Sequence, residues 1–147
     1  KAGITSSIII MDPELTSFKT MFDYKLEPEV YNFHLLDALI KAAEKEGITN
    51  FPIHVKLDTG MHRLGFSVDE IPLLIRRLKS QNAVIPRSVF SHFVGSDSAQ
   101  FDFFTRQQRK VRRNCRKLSH TRFCVISAIQ PVSNVFPVRS LIWCVWG

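Results

Sequence analysis

Residues 52–80 read PIHVKLDTGMHRLGFSVDEIPLLIRRLKS, a stretch that changes its period twice. It opens as a strand, with Ile53, Val55 and Leu57 alternating against His54 and Lys56. It closes as a helix: Ser67 stands as an N-cap with Glu70 three residues on, the capping-box spacing. Between them lies a loop crowded with Asp58, Gly60 and Arg63, more charge and glycine than a plain surface turn needs. Strand, loop and helix in these 29 residues make one right-handed βα unit.

The same rhythm extends outward in both directions. ITSSIIIMDP is a β-branched run stopped by Asp-Pro, and Leu15, Phe18, Met21 and Phe22 then follow at helical spacing. LEPEVYNF reads as a second strand. In FHLLDALIKAAEKEGI, Leu35, Leu36, Leu39 and Ile40 form one stripe, and Gly47 falls where a helix C-cap belongs. AVIPRSVFSHFVG reads as a fourth strand region, and SAQFDFFTRQQ begins another helix. About four such units predict an α/β fold with a parallel sheet. A closed eight-unit barrel takes about 250 residues, so the expectation is a partial (β/α)8 TIM-type barrel.

Bulk properties narrow the class. The chain has 147 residues, 45% hydrophobic and 22% charged, with no run long enough to span a membrane and no signal-peptide pattern, so a cytoplasmic protein is expected. Its formal charge of +7 suggests nucleic acid, but the charge is divided unevenly. Residues 1–102 hold 11 Lys and Arg against all 13 acids; residues 103–147 hold the other 9 basic residues and no acid. All three cysteines (Cys115, Cys124, Cys144) and both tryptophans lie in that last stretch. The cysteine spacing fits no zinc pattern, and no phosphate loop or nucleophile elbow appears. No metal site is expected. Neither a nucleic-acid partner nor a membrane is expected.

In a parallel sheet, chemistry gathers at the carboxyl ends of the strands. Two clusters fall there: Lys56, Asp58, Thr59, Gly60, Met61 and Arg63, and then Ser91, His92, Ser96 and Asp97. Gly60 lets the chain turn, Arg63 offers a fork of donors to a carboxylate or phenolate, and His92 can orient another polar group. On residues alone, Asp58 and Arg63 could equally form a structural salt bridge, and His92 could be a hydrogen-bonded core residue. His54 and His62 read as solvated or half-buried, with no role.

The stretch HVKLDTGMHRLGF closely resembles the Lys-x-Asp-Thr-Gly-Met-x-Arg-x-Gly signature of bacterial alanine racemases, and SVFSHFVGSDS resembles a later strand of the same barrel. The resemblance covers residues 1–108 and is nearest to racemase domains fused behind the ligase that adds D-alanyl-D-alanine to a muramoyl tripeptide. It implies a homodimeric enzyme using pyridoxal 5'-phosphate (PLP), with an eight-fold βα barrel and a C-terminal β domain, interconverting L- and D-alanine for peptidoglycan precursors. Residue by residue, it implies that Arg63 bonds the cofactor's phenolic oxygen and helps hold the substrate carboxylate. It implies that Lys56 is a candidate for carbamylation, its new carboxylate then fixing Arg63, although some members of the family lack that modification. It gives His92 a supporting role near the pyridine nitrogen, and makes Asp58 and Thr59 positioning residues. The lysine that carries the cofactor belongs to the first barrel strand, upstream of this chain, and the catalytic tyrosine lies beyond its end, so these residues alone are expected to be inactive. The rival readings are another PLP-barrel amino-acid racemase, a PLP-binding protein without catalysis, and a basic nucleic-acid-binding protein.

After residue 108 the resemblance stops. An acidic amphipathic helix is due, and the basic run RKVRRNCRKLSH stands in its place. Glutamate codons read one base out become Arg or Lys codons. Back-translation of His120–Gly147, read two bases later, permits Asn-Ser-Ala and Met-Val-Arg-x-Gly segments like those of the family. The expected division is therefore 1–107, a partial PLP-binding barrel domain, and 108–147, an out-of-frame tail expected to lack order.

Overall fold

The computed structural model describes residues 3–58 and 60–92 (for His92, its place in a strand only), and the backbones of two later strands at 124–128 and 142–144. Ser96, Asp97, Thr59, the helix expected from SAQFDFFTRQQ and most of the tail lie outside the described residues, as does the division at residue 107.

In chain order the elements are β1 (Ile9–Ile10), a 3-10 turn (Leu15–Ser17), α1 (Phe18–Tyr24), β2 (Glu27–Val30), α2 (Phe33–Lys45) and β3 (Phe51–Leu57). A second 3-10 turn (Val68–Glu70), α3 (Ile71–Lys79), β4 (Val84–His92), β5 (Cys124–Ala128) and β6 (Ile142–Cys144) follow. The strands pair in sequence order, parallel from β1 to β5, with β6 antiparallel to β5. This is the α/β half-barrel that the strand–helix rhythm implies. β5 and β6 come from the stretch after residue 107. The apolar residues Cys124, Val125 and Ile126 there lie beside Ser88, Val89 and Phe90, covering what would otherwise be an open strand edge.

Local chemistry sets the helix ends. Asn32 Oδ1 accepts the Leu35 amide at 2.8 Å and starts α2, whose buried stripe is Leu35, Leu36, Leu39, Ile40 and Ala43. At its other end Gly47, at φ 67, lets the Ile48 amide reach Ala43 O and the Gly47 amide reach Glu44 O, a Schellman closure. The capping box forms as the sequence predicts: the Ser67 hydroxyl takes the Glu70 amide, and Glu70 Oε2 accepts from Ser67 N at 2.7 Å. α3 then buries Ile71, Leu74 and Leu78, and Arg77 ties it to Asp37 of α2 at 2.7 Å.

The helices cover one face of the sheet, where Val30, Ile53, Val55, Leu57 and Val89 join them in the apolar core. The other face carries Glu27, Glu29, His54, Lys56 and Ser88, all buried. Registry places them together, since Glu29 lies beside His54, His54 beside Ser88, and Lys56 beside Phe90. The reading of His54 as solvated or half-buried is therefore wrong: it is 4% exposed. Alternation in β3 separates two buried faces, one against helices and one inside the barrel, and a single sequence cannot tell a polar interior from solvent.

Candidate active site

The loop after β3 is built by its own backbone. Asp58 Oδ1 accepts the amides of Gly60 at 2.9 Å and His62 at 3.0 Å, and Oδ2 lies 3.1 Å from His62 Nδ1. Gly60 at φ 135 and His62 at φ 54 make the sharp turn that this cage requires. The alternative of an Asp58–Arg63 salt bridge does not form; Asp58 serves the turn. Burial pushes the Asp58 carboxyl up, but the two amides and His62 outweigh it and hold the group below its ordinary 3.8. The chain then returns to β3 through paired bonds of Phe66 N to Lys56 O and Asp58 N to Phe66 O, both 2.9 Å.

That return brings Arg63 to the strand ends. Lys56, Leu57, Asp58, Met61, Arg63, Leu64 and Ser91 line a small pocket across the carboxyl ends of β3 and β4. Arg63 is solvent-exposed at its rim, and among the described residues no carboxylate pairs with it. His92 ends β4 beside Ser91, at the same end of the sheet. Two cations and a strand-end serine around a pocket can receive an anionic group, a carboxylate or a phenolate.

Below the rim lies a network that the sequence did not single out. Lys56 Nζ sits 2.9 Å from Glu29 Oε1 and 5.8 Å from the centre of the Phe90 ring. The approach to Oε1 is ionic and off the line of a good hydrogen bond, so that oxygen has no directed donor; Oε2 accepts the Asp12 amide at 2.9 Å. Asp12, at φ 48 after β1, also accepts from the Tyr31 hydroxyl at 2.7 Å, a bond that, with burial, raises the Tyr31 pKa. One layer deeper, His54 Nε2 lies 2.7 Å from Glu27 Oε2 and Nδ1 faces Ser88 Oγ. With Glu27 ionised, Nε2 carries the proton and the Ser88 hydroxyl donates to Nδ1. Arg87 completes the layer by bonding Glu27 Oε1. Arg87 is the extra residue at a β-bulge, where Ile53 pairs with Pro86 and His54 skips to Ser88. The overlooked signal was parity: Glu27 and Glu29, then His54 and Lys56, put polar residues two apart on neighbouring strands.

Burial holds His54 below the ordinary 6.5, against the pull of Glu27. Glu27 is pushed up by burial but held below 4.5 by Ser7, His54 and Arg87. Both lowered values make folding favour the deprotonated groups. The stability they contribute is complete above 6.5 for His54 and above 4.5 for Glu27, and is lost as pH falls through each folded value. Thermal melts should therefore decline in two stages on acidification, and His54→Asn should remove the upper one. A melting temperature that stays flat between about pH 7 and pH 5 would contradict this.

A parallel half-barrel with a buried polar interior and a cationic strand-end rim defines a portion of a (β/α)8-barrel domain. Residues 1–129 match the family described as alanine racemase, N-terminal domain, and the chain belongs to that family. It is 30% identical over 112 residues to alanine racemase 1 of Clostridium acetobutylicum, covering 75% of this chain and 29% of that protein. It is 35% identical over 101 residues to the biosynthetic alanine racemase of Escherichia coli O6:H1, covering 67% of this chain and 27% of that protein. The crystal structure of alanine racemase from E. faecalis shares the fold, with a TM-score of 0.73 at 24% identity over 86% of this chain and 35% of that one. So does alanine racemase from Bartonella henselae with covalently bound pyridoxal phosphate, at 0.72 and 17% identity over 85% and 36%. The chain thus spans less than a third of the length of those two sequence relatives. The family match runs past the division expected at residue 107. Among the described residues no helix is long and apolar enough to cross a membrane.

Proposed function

We propose that this chain is part of a PLP-dependent racemase acting on alanine, and that its residues work within a whole enzyme and not alone. The observation that carries the reading is the pocket where Lys56, Asp58, Arg63 and Ser91 meet at the strand ends of a chain that belongs to the alanine racemase family. Pyridoxal phosphate, when bound, supplies an electron sink for the carbon that loses its proton. The residues here fit one side of such a group: Arg63 is placed at the rim with its donors uncommitted to any described carboxylate, and can hold a phenolic oxygen and a substrate carboxylate. His92 supports from the end of β4. The Asp58 cage keeps Arg63 in place. The pocket is small, so further barrel strands are needed to complete a ligand site and exclude water.

The same reading makes the whole protein a cytoplasmic homodimer serving peptidoglycan precursors, with a muramoyl-tripeptide ligase as a candidate fusion partner. It keeps residues 1–107 as the barrel portion and 108–147 as the product of a shifted reading frame. The family match and β5 both extend past that division, so sequencing the locus is the deciding measurement. DNA unable to encode the alternative peptide ends the frameshift proposal.

The test of function uses the intact gene. The purified enzyme should show bound-cofactor absorbance and convert L-alanine to D-alanine, and Arg63→Lys should lower kcat/KM by on the order of 100-fold through misplacement of the bound groups. Absence of both cofactor and alanine racemisation would overturn the reading; racemisation of another amino acid in preference would redirect it.

A further inference from the structure

Arg87 and Ser88 are neighbours in sequence, yet both reach the same buried pair. Arg87 bonds Glu27 Oε1, while the Ser88 hydroxyl meets His54 Nδ1, whose ring reaches Glu27 Oε2 from its other nitrogen at 2.7 Å. Consecutive residues of a regular strand point to opposite faces. Val84 and Val89 show the same break in rhythm. They are five positions apart, and both lie in the apolar core beside Phe51 and Val55, which are four apart. The bulge at Arg87 therefore reverses the parity of every later residue in β4.

Hydrophobicity does not choose that parity. Ser88, Val89, Phe90 and Ser91 turn one apolar side chain to each face in either register. Without the bulge, Val55 would lie beside Ser88 and Lys56 beside Val89. Phe90 would leave the side of Lys56 for the helix face, and the His92 position, two residues on, would go with it. What separates the two registers is the polar layer. A slip would carry Ser88 away from His54 and leave a buried ring nitrogen and a buried hydroxyl unpaired. Arg87 would lie directly beside His54 in the ladder, drawn off a carboxylate that is 5% exposed. The Arg87 side chain is itself 58% exposed and also bonds Ser7 Oγ at 3.3 Å, so its ion pair adds little to stability. Its effect is on geometry: it keeps the extra residue turned toward Glu27.

We propose that Glu27, acting with His54 and Ser88 on the next two strands, is a register lock that holds the bulge at Arg87 and so decides which residues β4 presents to the barrel interior. Buried polar groups are best suited to this task, because they penalise a wrong pairing more than they reward the right one. Glu27 is thus a positioning residue, working one layer below the pocket through the strand that ends in Ser91 and His92. The claim concerns strand pairing, and it stands or falls apart from which amino acid the enzyme acts on.

The experiment is NMR of the isotope-labelled full chain, reading nuclear Overhauser contacts between β3 and β4. The wild type should pair Val55 with Val89 and Lys56 with Phe90. Folded Glu27→Leu should shift by one residue, with Val55 against Ser88 and Lys56 against Val89, wholly or as a second set of contacts. Deleting Arg87 from that variant should restore the wild-type pairs, because a strand without the extra residue reaches the same parity unaided. A merely stabilising carboxylate would give no such rescue. Unshifted contacts in folded Glu27→Leu overturn the proposal, and so do slipped contacts that survive the deletion. Should Glu27→Leu fail to fold, the chain carrying both changes decides alone: it should fold with Lys56 against Phe90, and its failure to fold overturns the proposal.

Discussion

Lys56→Met should destabilise the chain by about 3–5 kcal/mol, the cost of leaving a buried carboxylate without its countercharge. Glu29 is 1% exposed, and its Oε1 has no directed hydrogen bond to fall back on once the ammonium is gone. Among the described residues, the Asp12 amide on Oε2 is the hydrogen bond that remains to it. A second result identifies the cause. The double variant Glu29→Leu with Lys56→Met should recover most of the loss, because an apolar pair of similar volume removes both desolvation penalties. Urea unfolding measures both. A loss below about 1 kcal/mol for Lys56→Met would mean that water reaches the pair.

Gly65→Ala should cost about 3 kcal/mol or more, through both torsion and collision. At φ 134 the residue occupies backbone space that side chains rarely enter, and an added Cβ would stand 2.4 Å from Asp58 N and 2.6 Å from Leu57 C. Those atoms cannot withdraw cheaply. They belong to the segment where Phe66 N and Phe66 O bond Lys56 and Asp58, and Phe66 itself packs edge-on to Phe33 at 5.0 Å. Relief of the clash would unpin the loop that carries Arg63. Gly47→Ala provides the contrast. Gly47 also has positive φ, at 67, but nothing lies within 4 Å of its added Cβ, so only the left-handed torsion is charged, about 1 kcal/mol. Equal losses for the two variants would refute the steric account.

Much of the fold was legible because its signals are local. Ser67 with Glu70 and Gly47 after the Leu35–Ile40 stripe mark helix ends through bonds between residues close in sequence, and the structure forms them as expected. The run from Lys56 to Gly65 carried the family, since a loop that must turn on Gly60 and Gly65 and present Arg63 tolerates few other residue patterns. The pocket around Lys56 and Arg63 was foreseeable on the same basis, because the carboxyl ends of parallel strands converge.

The sequence by itself therefore determined the order of strands and helices, where the helices end, and which loop lies at the carboxyl ends of the strands. Only the tertiary structure decided the partners of the polar residues. His54 joins Glu27 across 27 positions and Ser88 across 34, Lys56 joins Glu29, and Arg87 reaches back 60 positions to Glu27. A period of two tells which residues share a face, but whether that face meets water or the inside of a barrel depends on strands brought beside it by the closing sheet. Burial is a property of that closure, and it is burial that turns isolated charges into pairs that must find one another.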